Sequence, residues 1–182
     1  MIKISLSFLF IIFCVSCSSI SVSTDYDPAS DFSVYKTFAV YNDAVKGSEL
    51  EKAPLIKARV IDAVEKTMTA KGFTLTDADK ADILIYPFAG TKDKLNVTDW
   101  GYGYSGRYWG GYPYGRNIDV STYTEASLVL DIVDNKNHEL LWRGIGTKAV
   151  SQNKSPEERT KAVDEAVAKI LGDYPPQQKL VE

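Results

Sequence analysis

The sequence predicts an α+β fold, a two-layer sandwich in which two helices pack on one face of a mostly antiparallel sheet. Three observations predict it. Thr122, Thr124, Ala126, Leu128, Leu130 and Ile132 alternate with Ser121, Glu125, Ser127 and Asp131, the period of a half-buried strand. Asp134-Asn135-Lys136-Asn137 is turn chemistry, and His138 to Val150 returns with Leu140, Leu141, Trp142 and Ile145, so Ser121 to Val150 reads as the central hairpin. Two further segments each carry one apolar stripe at helical spacing, and no repeat of about 20 to 50 residues suggests a solenoid.

In chain order, Ile20 to Asp27 alternates Ile20, Val22, Thr24 and Tyr26 and predicts a first strand. Asp27-Pro28 opens a turn, and Asp31 to Lys36 is a compact link. Thr37 to Tyr41 is rich in β-branched and aromatic residues and predicts a second strand. Asn42 to Lys52 is polar and predicts a loop. Pro54 suits a first helical turn, where its missing N–H has no partner to lose. Leu55 to Lys71 then predicts a helix, with Ile56, Val60, Val64 and Met68 recurring every fourth residue and Ala63 on the same face. Gly72 is placed to cap it in the left-handed conformation. Phe73 to Leu75 is a short extended piece. Asp82 to Phe88 predicts a buried strand.

The last element is the clearest. Ser155, Pro156 and Glu158 form a capping-box pattern. Ala162, Val163, Ala166, Val167, Ile170 and Leu171 then make one stripe. Gly172 and Tyr174-Pro175-Pro176 end the helix.

Composition excludes some function classes. A 182-residue chain with 45% hydrophobic and 25% charged residues has globular composition and can bury one core. The formal net charge is -3, so no basic face for nucleic acid is implied. The two cysteines are Cys14 and Cys17, which leaves the rest of the chain without a disulfide, a thiol nucleophile or a thiolate metal site.

Met1 to Ser16 reads as a targeting segment: Lys3 supplies a positive start and Ile4 to Phe13 an apolar run too short to span a bilayer, which takes about 20 residues. Cys14-Val15-Ser16-Cys17 resembles the bacterial lipoprotein box, with Cys14 standing where an aliphatic residue is usual. The resemblance implies cleavage before Cys17 and acylation of Cys17, with the small Ser16 just before the cut. Two or three acyl chains there would hold the protein on a membrane with no spanning helix. Ser18-Ser19-Ile20, with no aspartate after the cysteine, implies by the same resemblance an outer-membrane, periplasm-facing location. An ordinary secretory signal is the alternative. The domain plan is therefore a signal peptide at 1–16, a lipidated N-terminus and tether at 17–21, one domain at 22–176 and a tail at 177–182.

The unusual stretch is Trp100 to Gly115, set in a glycine and aromatic loop at 99–116. So much glycine holds no regular element cheaply. Trp100, Tyr102, Tyr104, Arg107, Tyr108, Trp109, Tyr112 and Tyr114 offer large rings with polar tips, a candidate contact surface for glycan, peptidoglycan, lipid headgroups or a protein partner. The plain alternative is a connection whose rings pack on the sheet edge. The acidic groups lead elsewhere. Counted from Asp77, a calcium loop needs glycine sixth and glutamate twelfth, where this chain has Asp82 and Phe88. Asp79 and Asp82 then belong with Asp77 to a solvated turn. Asp131, Asp134 and His138 read as turn and surface residues rather than an acid–base set. No catalytic residue, metal ligand or cofactor is expected.

With these residues in hand, the chain resembles a family of bacterial envelope lipoproteins catalogued as domain of unknown function 4136. The resemblance rests on Tyr26-Asp27, Asp31 to Phe38, Lys71-Gly72-Phe73, Ala81 to Ile85, Leu128 to Asp134, Leu141 to Gly144 and Tyr174-Pro175, in that order and spacing. It implies an α+β domain on a lipid anchor and brings no catalytic residues. The expectation is a non-enzymatic binding or structural module of the periplasm and outer membrane. Its partners would be the membrane, through the N-terminal lipid, and an envelope protein or glycan. An accessory subunit of an outer-membrane assembly or transport complex is the second reading. A cell-wall hydrolase is the third, and it would need two carboxylates converging in a cleft.

Overall fold

The computed structural model describes residues 20–42, 47–99, 118–150 and 154–177, and of 93–99 and 118–123 the backbone alone. Its strands are β1 (Ser21–Tyr26), β2 (Thr37–Val40), β3 (Thr74–Leu75), β4 (Ile83–Asp99), β5 (Ile118–Asp134) and β6 (Leu140–Ala149). Two helices, α1 (Pro54–Ala70) and α2 (Pro156–Ile170), interrupt them. The strands form one sheet in the order β1-β6-β5-β4-β2-β3. The pairs from β1 through β4 are antiparallel, and β2 runs parallel to both β4 and β3. The α+β sandwich expected from the sequence is the fold found.

The alternation read in the sequence decides which residues face the helices. Ile85, Ile132 and Trp142 stand in one cross-strand row, Pro87, Leu130 and Gly144 in the next, and Ala89, Leu128 and Gly146 in the third. The helices cover these rows. Val60, Ala63, Val64 and Met68 of α1 and Val167 and Ile170 of α2 are buried against them. Burying one such large aliphatic side chain contributes about 1.5–3 kcal/mol. The opposite sheet face carries a small cluster of Ala39, Ala81, Leu84 and Tyr86, and a bidentate Arg143 to Asp131 pair at 2.6 Å on both arms.

The two helices run parallel. Arg59 Nε donates to Thr160 Oγ1 near both starts (3.0 Å), and Lys71 Nζ donates to the Gly172 carbonyl near both ends (3.2 Å). The capping box at Ser155 is present in full: the Glu158 N–H donates to Ser155 Oγ (3.2 Å), and the Ser155 N–H donates to the Glu158 carboxylate (2.7 Å). Gly72 has φ +93°, the left-handed position that the end of α1 needs. Gly172 does not act in this way. α2 runs on into a 3-10 turn, Leu171–Asp173, which tightens the last carbonyls without a left-handed residue.

Three readings are corrected. Residues 42–52 are more than a polar loop: a 3-10 turn at Glu49–Glu51, capped by Ser48, delivers Leu50 into the core at 2% exposure. A lone leucine among polar residues has no periodicity to mark it. The strand read as Asp82 to Phe88 runs on to Asp99, because the ladder with β5 continues where the apolar pattern stops. Asp99 is therefore the last residue of β4 rather than the first of a loop. Tyr174, read as part of the helix stop, is a core residue at 1% exposure. Phe32, Phe73 and Trp142 surround it at ring-centroid distances of 6.0, 5.6 and 5.4 Å.

Pro87 sits inside a long strand, where it cannot donate to a ladder. Its position explains the tolerance. β2 leaves β4 at Ile85, whose carbonyl accepts from the Tyr41 N–H (2.8 Å). The next N–H on that edge would be at 87 and is absent. The one after it, at Ala89, donates to Ser48 Oγ (3.0 Å). Ser48 is itself buried at 2% exposure, so a serine hydroxyl replaces the departed strand.

Candidate functional site

The residues singled out in the sequence fall into two groups. Cys17 and all eight contact candidates, Trp100, Tyr102, Tyr104, Arg107, Tyr108, Trp109, Tyr112 and Tyr114, lie outside the described residues. Asp99 pairs with Ile118, so the stretch between joins the two ends of one continuous hairpin.

The carboxylates are described, and Asp77, Asp82, Asp131 and Asp134 each have a structural task. Asp82 accepts from the Lys36 and Thr37 N–H groups, both at 2.9 Å, and so ties the start of β2 to the start of β4. These backbone bonds hold its carboxyl below the usual aspartate range, against the opposing push of burial. Asp77 pairs with Lys80 at 2.7 Å. Asp131 is held by Arg143. Asp134 accepts from the Lys136 and Asn137 N–H groups at 2.7 and 3.2 Å and from the Tyr35 hydroxyl at 3.0 Å. Burial pushes Asp134 up, but those three donors together bring it below the ordinary range. Burial, and then the bond to Asp134, push the Tyr35 phenol up to about 12. His138 is a turn residue with φ +59°. Among the described residues no three His, Cys, Asp or Glu side chains gather as metal ligands. No described helix is long and apolar enough to cross a membrane.

What the structure adds is a groove of about 580 Å³ between the helices and the sheet. That size falls within the range of about 300–1,000 Å³ usual for small-ligand sites. Ala89, Ala126, Leu128 and Gly146 form its floor on β4, β5 and β6. Ile56 and Val60 of α1 make one wall, and Ala162, Val163 and Ala166 of α2 make the other. Leu50 lies at one end and Ile20 at the lip. The cations Lys148, Lys154 and Arg159 also line it, and among the described residues no Asp or Glu does. Arg159 is braced by its Nε, which donates to the Lys154 carbonyl (3.1 Å). Glu157 and Glu158, in the first turn of α2, are engaged by Ser155.

The groove exists because of side-chain size. Toward the C-terminal ends of the helices, Ile170 lies directly on the backbone of β6. A Cβ added at Gly146 would come within 2.7 Å of Ile170 Cδ1, and one at Gly144 would strike the Trp142 ring. Four residues back along α2, Ala166 succeeds Ile170, and four further back stands Ala162, so the gap to the sheet is left unfilled. The sequence reading placed Ala162 and Ala166 on the buried stripe by spacing but did not weigh their size. The small residues facing each other across two elements were the available signal.

Chemically, the groove is an apolar channel with cations at its edge. Both helices begin at this end, which adds the positive ends of their dipoles.

A known structure shares the fold. A PDZ domain protein from Parabacteroides distasonis is similar at a TM-score of 0.55 and 17% identity over 88% of this chain. The chain spans 37% of that protein's length. The PelC dodecamer from Paraburkholderia phytofirmans is similar at 15% identity and a TM-score of 0.46, over 84% of this chain and 95% of the other. No curated protein sequence matches the chain. The family model for DUF4136, a domain of unknown function, matches residues 22–176, and the chain belongs to that family.

Proposed function

We propose that the protein is a non-enzymatic binding module of the bacterial envelope, held at the outer membrane by acyl chains on Cys17. The observation that carries the binding part is the apolar groove with its three cations. A monomeric domain that meant only to be stable would fill such a space with larger side chains, as this one does at the other end of the same helices. The non-enzymatic part is supported by the carboxylates. Asp82, Asp131 and Asp134 each spend their oxygens on backbone N–H groups, on Arg143 or on the Tyr35 hydroxyl, and none of the three lines the groove. The anchoring part is supported by the Ser16-Cys17 pair after an apolar leader. Because Ile20 lines the groove and three residues reach at most about 10 Å, an anchor at Cys17 would keep the groove close to the bilayer surface.

The anchor is tested by labelling cells with radioactive palmitate. The wild-type chain is expected to take up label and fractionate with membranes, and Cys17→Ala to lose both. An unlabelled wild-type chain in the soluble fraction overturns it.

A further inference from the structure

We propose that the groove takes an acyl chain of an anionic phospholipid, with the phosphate headgroup at Lys148, Lys154 and Arg159. The inference rests on reading the groove as a binding element, and it names the ligand that reading leaves open. Three observations converge on it. Apart from Thr147 and Ser127, whose hydroxyl is engaged by the Gly90 carbonyl, the uncharged residues that line the groove are Ala, Val, Ile, Leu and Gly, whose side chains offer an alkyl chain contact and no hydrogen bond. The described charged groups that line the groove are all cationic, so an acid headgroup is favoured there and a choline or ammonium headgroup alone is not. Helix α2 adds to this preference, since its positive end lies beside Lys154 and Arg159.

The shape of the site fits an amphiphile rather than a compact polar ligand. A sugar or a nucleotide needs several converging donors and acceptors deep in its pocket. Here the polar side chains Lys148, Lys154 and Arg159 are half-buried or exposed, while Val60 and Leu50 at the inner surface are almost fully buried. One end of the ligand must therefore be greasy and the other negative. Ile20 at the lip ties the site to the N-terminal tether, so bilayer lipid would be the nearest source of such a molecule.

The test uses the full chain with Cys17→Ala, so that the outcome does not depend on anchoring. Phosphatidylglycerol carrying a pyrene-labelled acyl chain is titrated into the protein, and phosphatidylcholine with the same label serves as the comparison. Saturable binding is expected with a preference for phosphatidylglycerol of about tenfold or more, the scale set by two to three cations near an anionic group. Ala166→Trp, which fills the channel from the α2 wall, is expected to abolish binding of both lipids. Lys148→Gln with Lys154→Gln is expected to remove the preference and leave the weaker binding. Circular dichroism and thermal unfolding confirm that each variant is folded, and Ala162→Phe replaces Ala166→Trp should that variant fail to fold. Equal affinity for the two lipids overturns the headgroup assignment. Absence of saturable binding, or full binding by the folded channel-filling variant, overturns the proposal. A failed lipid titration with a positive palmitate result would leave the anchored module standing with a different ligand.

Discussion

The same two helices meet the same three strands at both ends of the molecule and produce opposite results. At the end marked by Trp142, the layer between helix and sheet is closed. Ile85, Ile132 and Trp142 on the sheet meet Met68 and Ile170 from the helices, and Tyr174 plugs the remainder from behind. At the end marked by Lys148 the layer is open. Ala126 and Leu128 on the sheet and Ala162 and Ala166 on α2 line a groove of about 580 Å³. The backbone alone does not separate the two ends: the β4–β5 ladder is continuous through both, and the register shift in β5–β6, between Ile132 and Val133, lies at the closed one. Side-chain volume does. One part of a single layer is committed to stability, and the other gives up packing for access.

Truncation at the closed end gives the largest effect. Trp142 is 1% exposed and makes edge contact with Tyr174, so Trp142→Ala should cost about 3–5 kcal/mol in chemical denaturation. Its indole N–H and the Tyr174 hydroxyl are buried with no partner among the described groups. Trp142→Phe keeps most of the ring surface and removes one unmet donor, so it should cost much less than the alanine variant. A Trp142→Ala loss below about 1 kcal/mol would show that the closed end is not where stability is concentrated.

Overpacking the same end comes next. Gly144 is flanked by Trp142 and Ile170, with Ile170 Cγ2 at 2.5 Å from where a Cβ would stand. Gly144→Ala should therefore cost about 1–3 kcal/mol, although alanine usually favours a strand over glycine. Gly146→Ala should cost a similar amount, and combining it with Ile170→Val should recover part of that loss, because valine lacks the Cδ1 that would lie 2.7 Å from the new Cβ. Equal losses in the single and double variants would break the claim that helix and strand are in direct contact there.

A smaller effect reaches the sheet through acid. Asp82 holds two backbone N–H groups of the β2 entry, which lowers its carboxyl in the folded chain relative to the unfolded one. A lowered folded-state value means stability that is present above about pH 4 and is lost as pH falls through the folded value. Asp82→Asn should therefore be less stable than wild type at pH 7, and the gap should narrow as pH falls toward 2. Some acid sensitivity should persist in the variant, since Asp134, Asp27 and Asp31 are lowered as well. A gap that stayed constant with pH would separate Asp82 from the acid limb.

How much of this was legible in sequence follows from the same contrast. Periodicity reports which face of an element is buried, so the α1 stripe, the β5 alternation and the Ser155 capping box were readable. Periodicity does not report depth or volume. Ala162 and Ile170 count equally on a stripe, yet one borders an open groove and the other is fully buried on β6. Leu50 and Tyr174 were missed for a related reason. Each reaches the core from a short irregular turn, where there is no period to read. Asp82 reads in sequence as part of a solvated turn, because the backbone groups it holds, at Lys36 and Thr37, are 46 and 45 positions away, a distance no local pattern encodes. The groove is also non-local, since its walls come from α1, α2 and three strands.

The smallest expected effect is the most discriminating. Ala162→Leu adds volume to α2 at the open end, four residues from Ala166 on the same wall. If the groove is space that packing has left empty, the leucine enters it without strain. Stability should then stay within about 0.5 kcal/mol of wild type or rise slightly, as apolar surface is removed from water. A comparable enlargement at Gly144 is expected to cost about 1–3 kcal/mol, so the two variants read the two ends of one layer with the same kind of change. The contrast depends on sign rather than size: added bulk should hurt where the layer is closed and be tolerated where it is open. A large loss from Ala162→Leu would mean that the space is occupied in the folded chain, and the two ends would then be alike.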